Sequence, residues 1–388
     1  MFVRLFLLLF FLSYGGMHWY GYRKMRAALA VGRLGRLWLA FFGCAMVVAP
    51  LLVRLVERGG LLRVATALAW LGYLWMGFLF LFVVVAGLID LGRGGWRLAA
   101  LLGGRSWFPA RSAAWPCLVA LPLALLLCGY GWHEARQVRL TRLVVRSAKL
   151  PPATRPLRIV QLSDLHLGLL VRPAQLERIL AVARAARPDL LVVTGDLVDV
   201  QADGLAAMAG QFRGFAPRHG AYAVTGNHEY YVGIDQASAF CRAAGLTLLH
   251  GQAVAVGDGA VVAGVDDPVA VARGMAAPDQ EARLAAGLDR RRFSILLKHR
   301  PVAAPASPFD LQLSGHVHGG QIVPFNLATR LAYPVAAGLT RLAGGALLYV
   351  SRGSGTWGPP LRLLAPPEVT LFEVVPAGPA SKESGRPG

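Results

Sequence analysis

The sequence predicts two parts: an α-helical membrane domain with about four transmembrane helices, followed by an α/β domain. The chain of 388 residues is 55% hydrophobic and carries a formal net charge of +19, which is unusual for a single soluble domain. The charge is concentrated in the first 150 residues, where 18 Lys and Arg residues stand against three acidic residues. The remainder, with 22 basic against 18 acidic residues, has the composition of a soluble domain.

Four apolar stretches in the first part are long enough to span a bilayer as helices, which takes ~20 residues. They run approximately over Leu5–Tyr22, Leu37–Val53, Val64–Leu91 and Ala114–Trp132. Aromatic residues near the ends of these stretches are typical of the membrane–water interface: Trp19, Tyr20, Tyr22, Trp38, Trp107, Trp115 and Trp132. The pattern predicts a transmembrane domain over residues 1–132.

The first stretch has an alternative interpretation as a signal peptide, because "ALA" at 28–30 resembles a cleavage site. The basic segment "YRKMR" at 22–26 lies where a cleavage region is neutral, which favours retention. Basic residues are equally numerous on the two predicted sides of the membrane. The loop Arg23–Arg36 is more basic than the tail before the first span, which favours an extracytoplasmic second part.

The basic residues of the first part flank apolar stretches, which indicates membrane contact rather than nucleic-acid binding. No predicted span contains a cluster of ionisable residues that would mark a transport path, so an anchor is favoured over a transporter. The four cysteines form no CxxC pattern and are interpreted as small apolar packing residues.

A basic segment, 133–156, is predicted to be a stem and linker between the two parts. Two alternatives remain for it: an amphipathic segment on the membrane surface, or a solvated tether. The α/β domain is predicted over 157–375. The small, polar residues 376–388 predict a disordered tail.

Five short apolar runs in the second part are rich in Val, Ile and Leu, and each leads into a polar cluster. The runs are "LRIVQLSDLH", "DLLVVTGD", "AYAVTGNH", "FSILLKH" and "FDLQLSGHVH". Such runs predict buried strands. Between the first two lies an amphipathic helix that directs Leu176, Ile179, Leu180 and Val182 toward a core. A strand–helix–strand unit predicts a parallel or mixed sheet.

The polar clusters contain Asp, Asn and His side chains that can converge, because ligands bind outside the carboxyl ends of the strands in such sheets. In an extended backbone, His316 and His318 would point to one face, which is favourable for binding a metal. Glycines before Asp196, Asn227 and His316 permit close backbone approach. Oxygen and imidazole ligands suit Zn, Mn or Fe, and seven candidates fit two ions that share a carboxylate better than one.

The ordered series D-L-H, G-D-L-V-D, G-N-H-E, H and G-H-V-H resembles the calcineurin-like metallophosphoesterase superfamily over about Leu157 to Val375. The motifs "SGHVHGGQI", "GVDDP" at 264–268 and "YVSRGSGTWGPPLRLLAPPEVTLFEV" are similar to those of a bacterial, membrane-anchored branch. The resemblance implies a sandwich of two mixed β-sheets flanked by helices. It also implies a location in the bacterial cytoplasmic membrane.

The resemblance further implies a role for each motif residue. Asp164, His166 and His318 would hold one divalent ion, Asn227, His299 and His316 would hold a second, and Asp196 would bridge them. A hydroxide between the ions would attack phosphorus, and His228 would donate a proton to the leaving oxygen or stabilise its charge. The implied reaction is hydrolysis of a phosphodiester, phosphomonoester or pyrophosphate. The membrane anchor and the possible lipid-facing segment suggest a membrane or envelope substrate, either a phosphorylated small molecule or a lipid-linked phosphate. The alternative is a non-catalytic membrane sensor that binds a phosphorylated ligand.

Two positions depart from common family patterns. Glu229 stands where many members have Asp, and its longer side chain would orient His228 differently. Asp199 stands where purple acid phosphatases have tyrosine, and it is interpreted either as a partner of a ligand or as a helix cap. Arg300 and Arg352 are interpreted as structural rather than phosphate-binding. The segment 325–342 either packs in the core, which is favoured, or dips into lipid.

Overall fold

A computed structural model describes residues 2–103, 114–199, 205–257, 259–304 and 307–377. The chain forms two compact units, one comprising Met1–Glu134 with Gly358–Leu363 and the other Ala135–Trp357 with Leu364–Gly388. Trp107 and the predicted tail, apart from Pro376 and Ala377, lie outside the described residues.

Long helices form at all four apolar stretches of the first unit. They are α1 (Phe2–Leu29), α2 (Arg33–Arg58), α3 (Leu62–Leu102) and α4 (Trp115–Glu134). Within the described part of the chain, α2, α3 and α4 are long and apolar enough to cross a membrane. The predicted crossing by α1 stays a prediction.

Gly358–Leu363 packs inside the first unit although it lies far along the chain. Its Leu361 and Arg362 are buried. The backbone N–H of Arg362 donates to the carbonyl oxygen of Gly131 in α4 at 2.9 Å. A Cβ atom on Gly131 would lie 3.1 Å from the carbonyl oxygen of Arg362, so the glycine lets the backbone of residue 362 approach α4 closely.

The second unit contains two six-stranded mixed sheets. Its strands are β1 (Arg139–Ser147), β2 (Leu157–Leu162), β3 (Leu190–Thr194), β4 (Ala221–Val224), β5 (Thr247–Leu248), β6 (Gln252–Val256), β7 (Ala260–Gly264), β8 (Phe293–Leu297), β9 (Leu311–Ser314), β10 (Gly338–Arg341), β11 (Leu347–Val350) and β12 (Glu368–Pro376). The strand orders are β1-β12-β2-β3-β4-β5 and β10-β11-β9-β8-β7-β6. The five predicted strands are β2, β3, β4, β8 and β9, so the predicted α/β fold is confirmed.

Helices flank the sheets. They are α5 (Pro173–Ala185), α6 (Leu205–Arg213), α7 (Asn227–Val232), α8 (Ile234–Ala244), α9 (Pro268–Ala272), α10 (Gln280–Ala286) and α11 (Phe325–Ala332). In α5, Leu176, Ile179 and Leu180 are fully buried in the core between this helix and the first sheet, as the amphipathic pattern predicts. A second core lies between the sheets and includes Ile159 and Ile295. The two cores fix the strand ends that carry the polar clusters.

The segment predicted as a stem differs from that prediction, because residues 139–147 form strand β1. β1 pairs in parallel with β12 along its whole length, from Arg139 opposite Glu368 to Ser147 opposite Pro376. Leu143 and Val145 contribute to the core between the sheets. The α/β fold therefore begins before residue 157, and Arg139, Arg142 and Arg146 lie on an edge strand.

Candidate metal centre

The predicted ligands follow the carboxyl ends of parallel strands from both sheets. In the first sheet, Asp164 and His166 follow β2, Asp196 follows β3, and Asn227 and His228 open α7 after β4. In the second sheet, His299 follows β8, and His316 and His318 follow β9. The structure brings these residues together at one end of the sandwich.

Five of these residues have a left-handed backbone, which is uncommon for residues other than glycine. The φ angles are +52° at Asp164, +49° at His166, +50° at Asp196, +72° at His316 and +53° at His318. The prediction that His316 and His318 share a face of an extended backbone is wrong, because the chain turns at both residues. Such strained residues cluster at functional sites, where the surrounding structure holds them in place.

The three predicted glycines permit close approach at the site. A Cβ atom on Gly195 would lie 2.6 Å from Nδ1 of His299, and one on Gly226 would lie 2.2 Å from Oδ1 of Asp196. A Cβ atom on Gly315 would lie 1.9 Å from Oγ of Ser163. Larger residues at these positions would displace the ligand loops.

The ligand atoms form two adjoining sets around Asp196. In one set, Nε2 of His166 lies 3.1 Å from Nε2 of His318. In the other, Nε2 of His299 lies 3.1 Å from Nδ1 of His316. Oδ2 of Asp196 lies 3.8 Å from the His166 nitrogen and 3.2 Å from the His299 nitrogen. One carboxylate oxygen therefore lies between the two imidazole sets.

This arrangement fits metal ions. Two imidazole nitrogens that bind one ion at about 2.1 Å lie roughly 3.0–3.4 Å apart at octahedral or tetrahedral angles, as both histidine pairs do. Groups whose ligand atoms lie within 4.8 Å of one another are Asp164 with His166 and His318, Asp196 with His299 and His316, and His166 with Asp196 and His228. The buried Oδ1 of Asn227 accepts no hydrogen bond within the described chain, so it can serve as a further ligand.

Neighbouring groups orient the ligands. Nδ1 of His299 lies 2.8 Å from the carbonyl oxygen of Thr194, and donation to that oxygen leaves Nε2 as the nitrogen that can bind an ion. Asp164 accepts from the Ser163 hydroxyl at 2.5 Å and from the His316 backbone N–H at 2.9 Å. The imidazole and carboxylate directions are thus set before any ion binds.

The electrostatics of the site favour a cation. Burial, followed by the charge of His228, lowers the pKa of His166 to about 4, and burial with the charge of His299 lowers that of His316 to about 3. Burial alone would raise the pKa of Asp196, but the charges of His299 and His228 hold it well below its usual range. The neutral rings of His166 and His316 beside the ionised Asp196 suit a divalent ion. His299 differs, because burial is outweighed by the Asp196 carboxylate, which raises the pKa of His299 to about 10, so an ion bound there would displace its proton.

His228 lies at the edge of the centre, paired with Asp199. Its Nδ1 lies 2.7 Å from Oδ1 of Asp199. This contact favours the interpretation of Asp199 as a partner of a site residue over its interpretation as a helix cap. Burial opposes the charge on His228, yet the carboxylates of Asp196 and Asp199 raise its pKa to about 9. The two carboxylates therefore favour the protonated form of His228 in the metal-free protein.

Glu229 has a role that sequence reasoning missed. One carboxylate oxygen accepts backbone N–H groups of Leu197 and Val198, and the other accepts those of Asp196 and Gly226. Its carboxylate therefore holds the loop of Asp196 to the start of α7, and these bonds do not involve the His228 ring. A Glu at the third position of a helix, which can accept the backbone N–H of the residue before the helix, is the signal that points to part of this arrangement.

Aromatic rings line the centre, and sequence reasoning missed these as well. Ring centroids of Tyr231 and Trp357 lie 5.4 and 6.0 Å from that of His228. The Tyr333 ring lies 5.4 Å from His316.

The structural interpretation of the two arginines fits their ion pairs, since Arg300 binds Asp267 and Arg352 binds Glu368.

Comparisons with known proteins identify the class. The sequence profile of the calcineurin-like phosphoesterases matches residues 157–320. An uncharacterized metallophosphoesterase of Aquifex aeolicus is 38% identical over 65% of this chain and 97% of its own length. One from Helicobacter pylori is 32% identical over 70% of this chain and 74% of its own. A transmembrane protein with metallophosphoesterase domain from Danio rerio is 33% identical over 65% of this chain and 61% of its own.

The chain belongs to the calcineurin-like phosphoesterase family. It is thus a metal-dependent hydrolase of phosphate esters, and its apolar helices make it a membrane protein.

Proposed function

We propose that this protein hydrolyses a phosphodiester, phosphomonoester or pyrophosphate at a binuclear metal centre. The observation that carries the proposal is the position of Asp196 Oδ2, between His166 at 3.8 Å and His299 at 3.2 Å. A carboxylate oxygen shared by two sets of imidazoles is what a pair of ions requires. The same feature separates this site from a structural zinc site, which is closed and usually contains cysteine.

The ligand sets follow from the two groups around Asp196. Asp164, His166 and His318 would hold one ion, His299 and His316 would hold the other, and Asp196 would bridge them. Asn227 would complete the second set through its buried Oδ1. Their oxygen and nitrogen donors suit Mn, Zn or Fe. When bound, the ions would lower the pKa of an attacking water and neutralise charge on the phosphate.

The residues of the chain would supply the remaining chemistry. His228, protonated through its pKa of about 9, would donate a proton to the leaving oxygen. Asp199 would hold the ring of His228 in position through Nδ1. Glu229 would keep the bridging carboxylate in place through the backbone of residues 196–198.

The membrane helices support a substrate of the bilayer or the cell envelope, either a phosphorylated small molecule or a lipid-linked phosphate. We place the protein in a bacterial cytoplasmic membrane, with its metal centre on the extracytoplasmic side. The basic segment Arg23–Arg36, which spans the end of α1 and the start of α2, supports this orientation, since such segments stay in the cytoplasm. We expect no nucleic-acid substrate, because the basic excess belongs to the membrane-flanking part.

The test uses the full chain in lipid nanodiscs, stripped of metal and then supplied with Mn²⁺, Zn²⁺, Fe²⁺ or Mg²⁺. Bound metal per chain and hydrolysis of a chromogenic diester and monoester are measured. We expect two ions per chain and metal-dependent turnover, both reduced in Asp196→Asn. Asp235→Asn is the matched control, because it removes the same charge at an exposed position in α8.

Two outcomes would contradict the proposal. A folded chain that binds no ion would exclude a metal centre. Two bound ions without turnover on either soluble ester or on a lipid-borne ester would favour the sensor alternative, in which the same residues bind a phosphorylated ligand without cleaving it.

A further inference from the structure

Helix α11 exposes its large apolar side chains, whereas its Asn and Thr side chains are the less exposed ones. No residue of Phe325–Ala332 is buried, and Phe325, Leu327 and Leu331 are 52%, 62% and 90% exposed. Asn326 and Thr329 are less exposed than these residues. A surface helix of a soluble protein turns its apolar side to the core, so the exposed side of α11 calls for an apolar partner.

The orientation of α11 is fixed by its polar side. A Cβ atom on Gly320 would lie 2.3 Å from Cα of Asn326, so this glycine lets the helix backbone approach the turn after His318. The Thr329 hydroxyl donates to the Asn326 carbonyl oxygen at 3.0 Å, which satisfies it within the helix. Leu327 and Leu331, at i and i+4, share one outward side. The prediction that segment 325–342 packs in the core is therefore wrong for α11.

We propose that α11 lies in the interface of the lipid bilayer and that its apolar surface, Phe325, Leu327 and Leu331, inserts among the lipids. The apolar helices of the first unit already attach this chain to a bilayer. Only residues 135–138 separate α4 from β1 along the chain, so a bilayer is the apolar partner that is always present. Short helices with a strongly apolar side and basic residues are suited to this position.

Charge supports a lipid surface over a protein partner of mixed charge. From Leu311 to Trp357 the sequence contains no Asp or Glu, and Arg330 in α11 and Arg341 in β10 are exposed basic residues. A cationic surface beside an apolar one complements anionic lipids.

The inserted helix would deliver a lipid-borne phosphate to the metal centre, a step that rests on the proposed phosphoesterase function. Tyr333 follows α11 directly, and its ring lies 5.4 Å from that of His316. At the other end of the helix, Asn326 approaches Gly320, two residues after His318. Both ends of α11 therefore contact the loop that carries His316 and His318 or its ligand side chains.

The docking itself is tested by photo-crosslinking. The full chain carries p-benzoylphenylalanine in place of Leu331 and is reconstituted in nanodiscs of equal parts phosphatidylcholine and phosphatidylglycerol. After irradiation, intact mass spectrometry should show a phospholipid adduct. The matched control has the same residue in place of Val144, which is apolar and 56% exposed on β1, and should show little adduct. No lipid adduct at position 331, or an adduct with a second copy of the chain, would overturn the proposal.

The consequence for catalysis is tested with two diesters that share a leaving group. Phosphatidyl-p-nitrophenol is held in the bilayer and bis(p-nitrophenyl) phosphate is soluble. In Leu331→Asp the ratio of kcat/KM for the lipid-borne over the soluble diester should fall about tenfold, as the loss of one inserted leucine implies. An unchanged ratio would overturn substrate delivery by α11. Crosslinking needs no turnover, so it decides the docking even if the proposed hydrolysis fails.

Discussion

At the scale of single residues, the centre depends on backbone conformations that ordinary side chains avoid. Asp164, His166, Asp196, His316 and His318 all have φ near +50° to +70°, a conformation that costs of order 1–3 kcal/mol per residue. The loops that hold them are secured by Glu229, whose carboxylate accepts four backbone N–H groups. These backbone conformations place the donor atoms from both sheets around one oxygen of Asp196.

The pair of His228 and Asp199 leads to a prediction about pH. Asp199→Asn removes a negative charge that raises the pKa of His228, so the folded-state pKa should fall below about 9. Because the protonated ring is the proposed proton donor, the alkaline limb of the kcat profile should shift to lower pH. The rate at the optimum should drop roughly 10- to 100-fold. Profiles of the full chain with a fixed metal test this, with Asp235→Asn as control. An alkaline limb that stays in place would exclude His228 as the titrating donor.

The sequence identified the candidate ligands because their residue types and spacing are distinctive. It could not identify how they are held. The bonds from Glu229 to residues 196–198 join loops that are distant in sequence, and the left-handed φ values at His316 and His318 leave no trace in their residue types. The rings of Tyr231 and Trp357 beside His228 were missed because they carry no ligand chemistry.

At the scale of elements, the five strands with apolar runs were predictable because parallel strands buried on both sides are almost continuously apolar. Strand β1 was not predicted, since its arginines resemble a membrane-flanking stem. Pairing with β12, which lies more than two hundred residues away along the sequence, decides its structure. Likewise, the apolar segment 325–342 divides into α11 and β10, and the helix stays exposed.

Adjacent valines in β1 test its role in the fold. Val145 is 2% exposed in the core between the sheets, whereas Val144 is 56% exposed on the same strand. Val145→Asp should destabilise the second unit by about 3 kcal/mol or more, because an unpaired carboxylate would be buried. Val144→Asp should change stability little. Thermal unfolding of both variants in the full chain measures the difference. Equal stability of the two would show that residues 139–147 form the separate stem that their composition resembles.

At the scale of the whole molecule, charge and hydropathy divide the chain near residue 134, but the fold does not divide it by sequence order alone. Gly358–Leu363 belongs to the first unit although it follows almost all of the α/β domain in the sequence. The run "GPPLRL" is short and gives no signal of a membrane segment. Its buried arginine, Arg362, would be assigned to a surface from sequence alone. The first unit is therefore complete only after most of the second unit, up to Trp357, has been synthesised.

Two glycines of α4 test this organisation. Gly131 receives the backbone of Arg362, and a Cβ atom there would lie 3.1 Å from the Arg362 carbonyl oxygen. A Cβ atom on Gly129 would have no neighbour within 4 Å among the residues that the structure describes. Gly131→Leu and Gly129→Leu gain the same helix propensity, so any difference in stability between them reports the packing of Gly358–Leu363.

Overpacking should destabilise Gly131→Leu by about 1–3 kcal/mol relative to Gly129→Leu, measured by thermal unfolding of the full chain in nanodiscs. Limited proteolysis should also cut near residue 360 faster in Gly131→Leu. Equal melting temperatures and equal cleavage would mean that the first unit is complete without this segment.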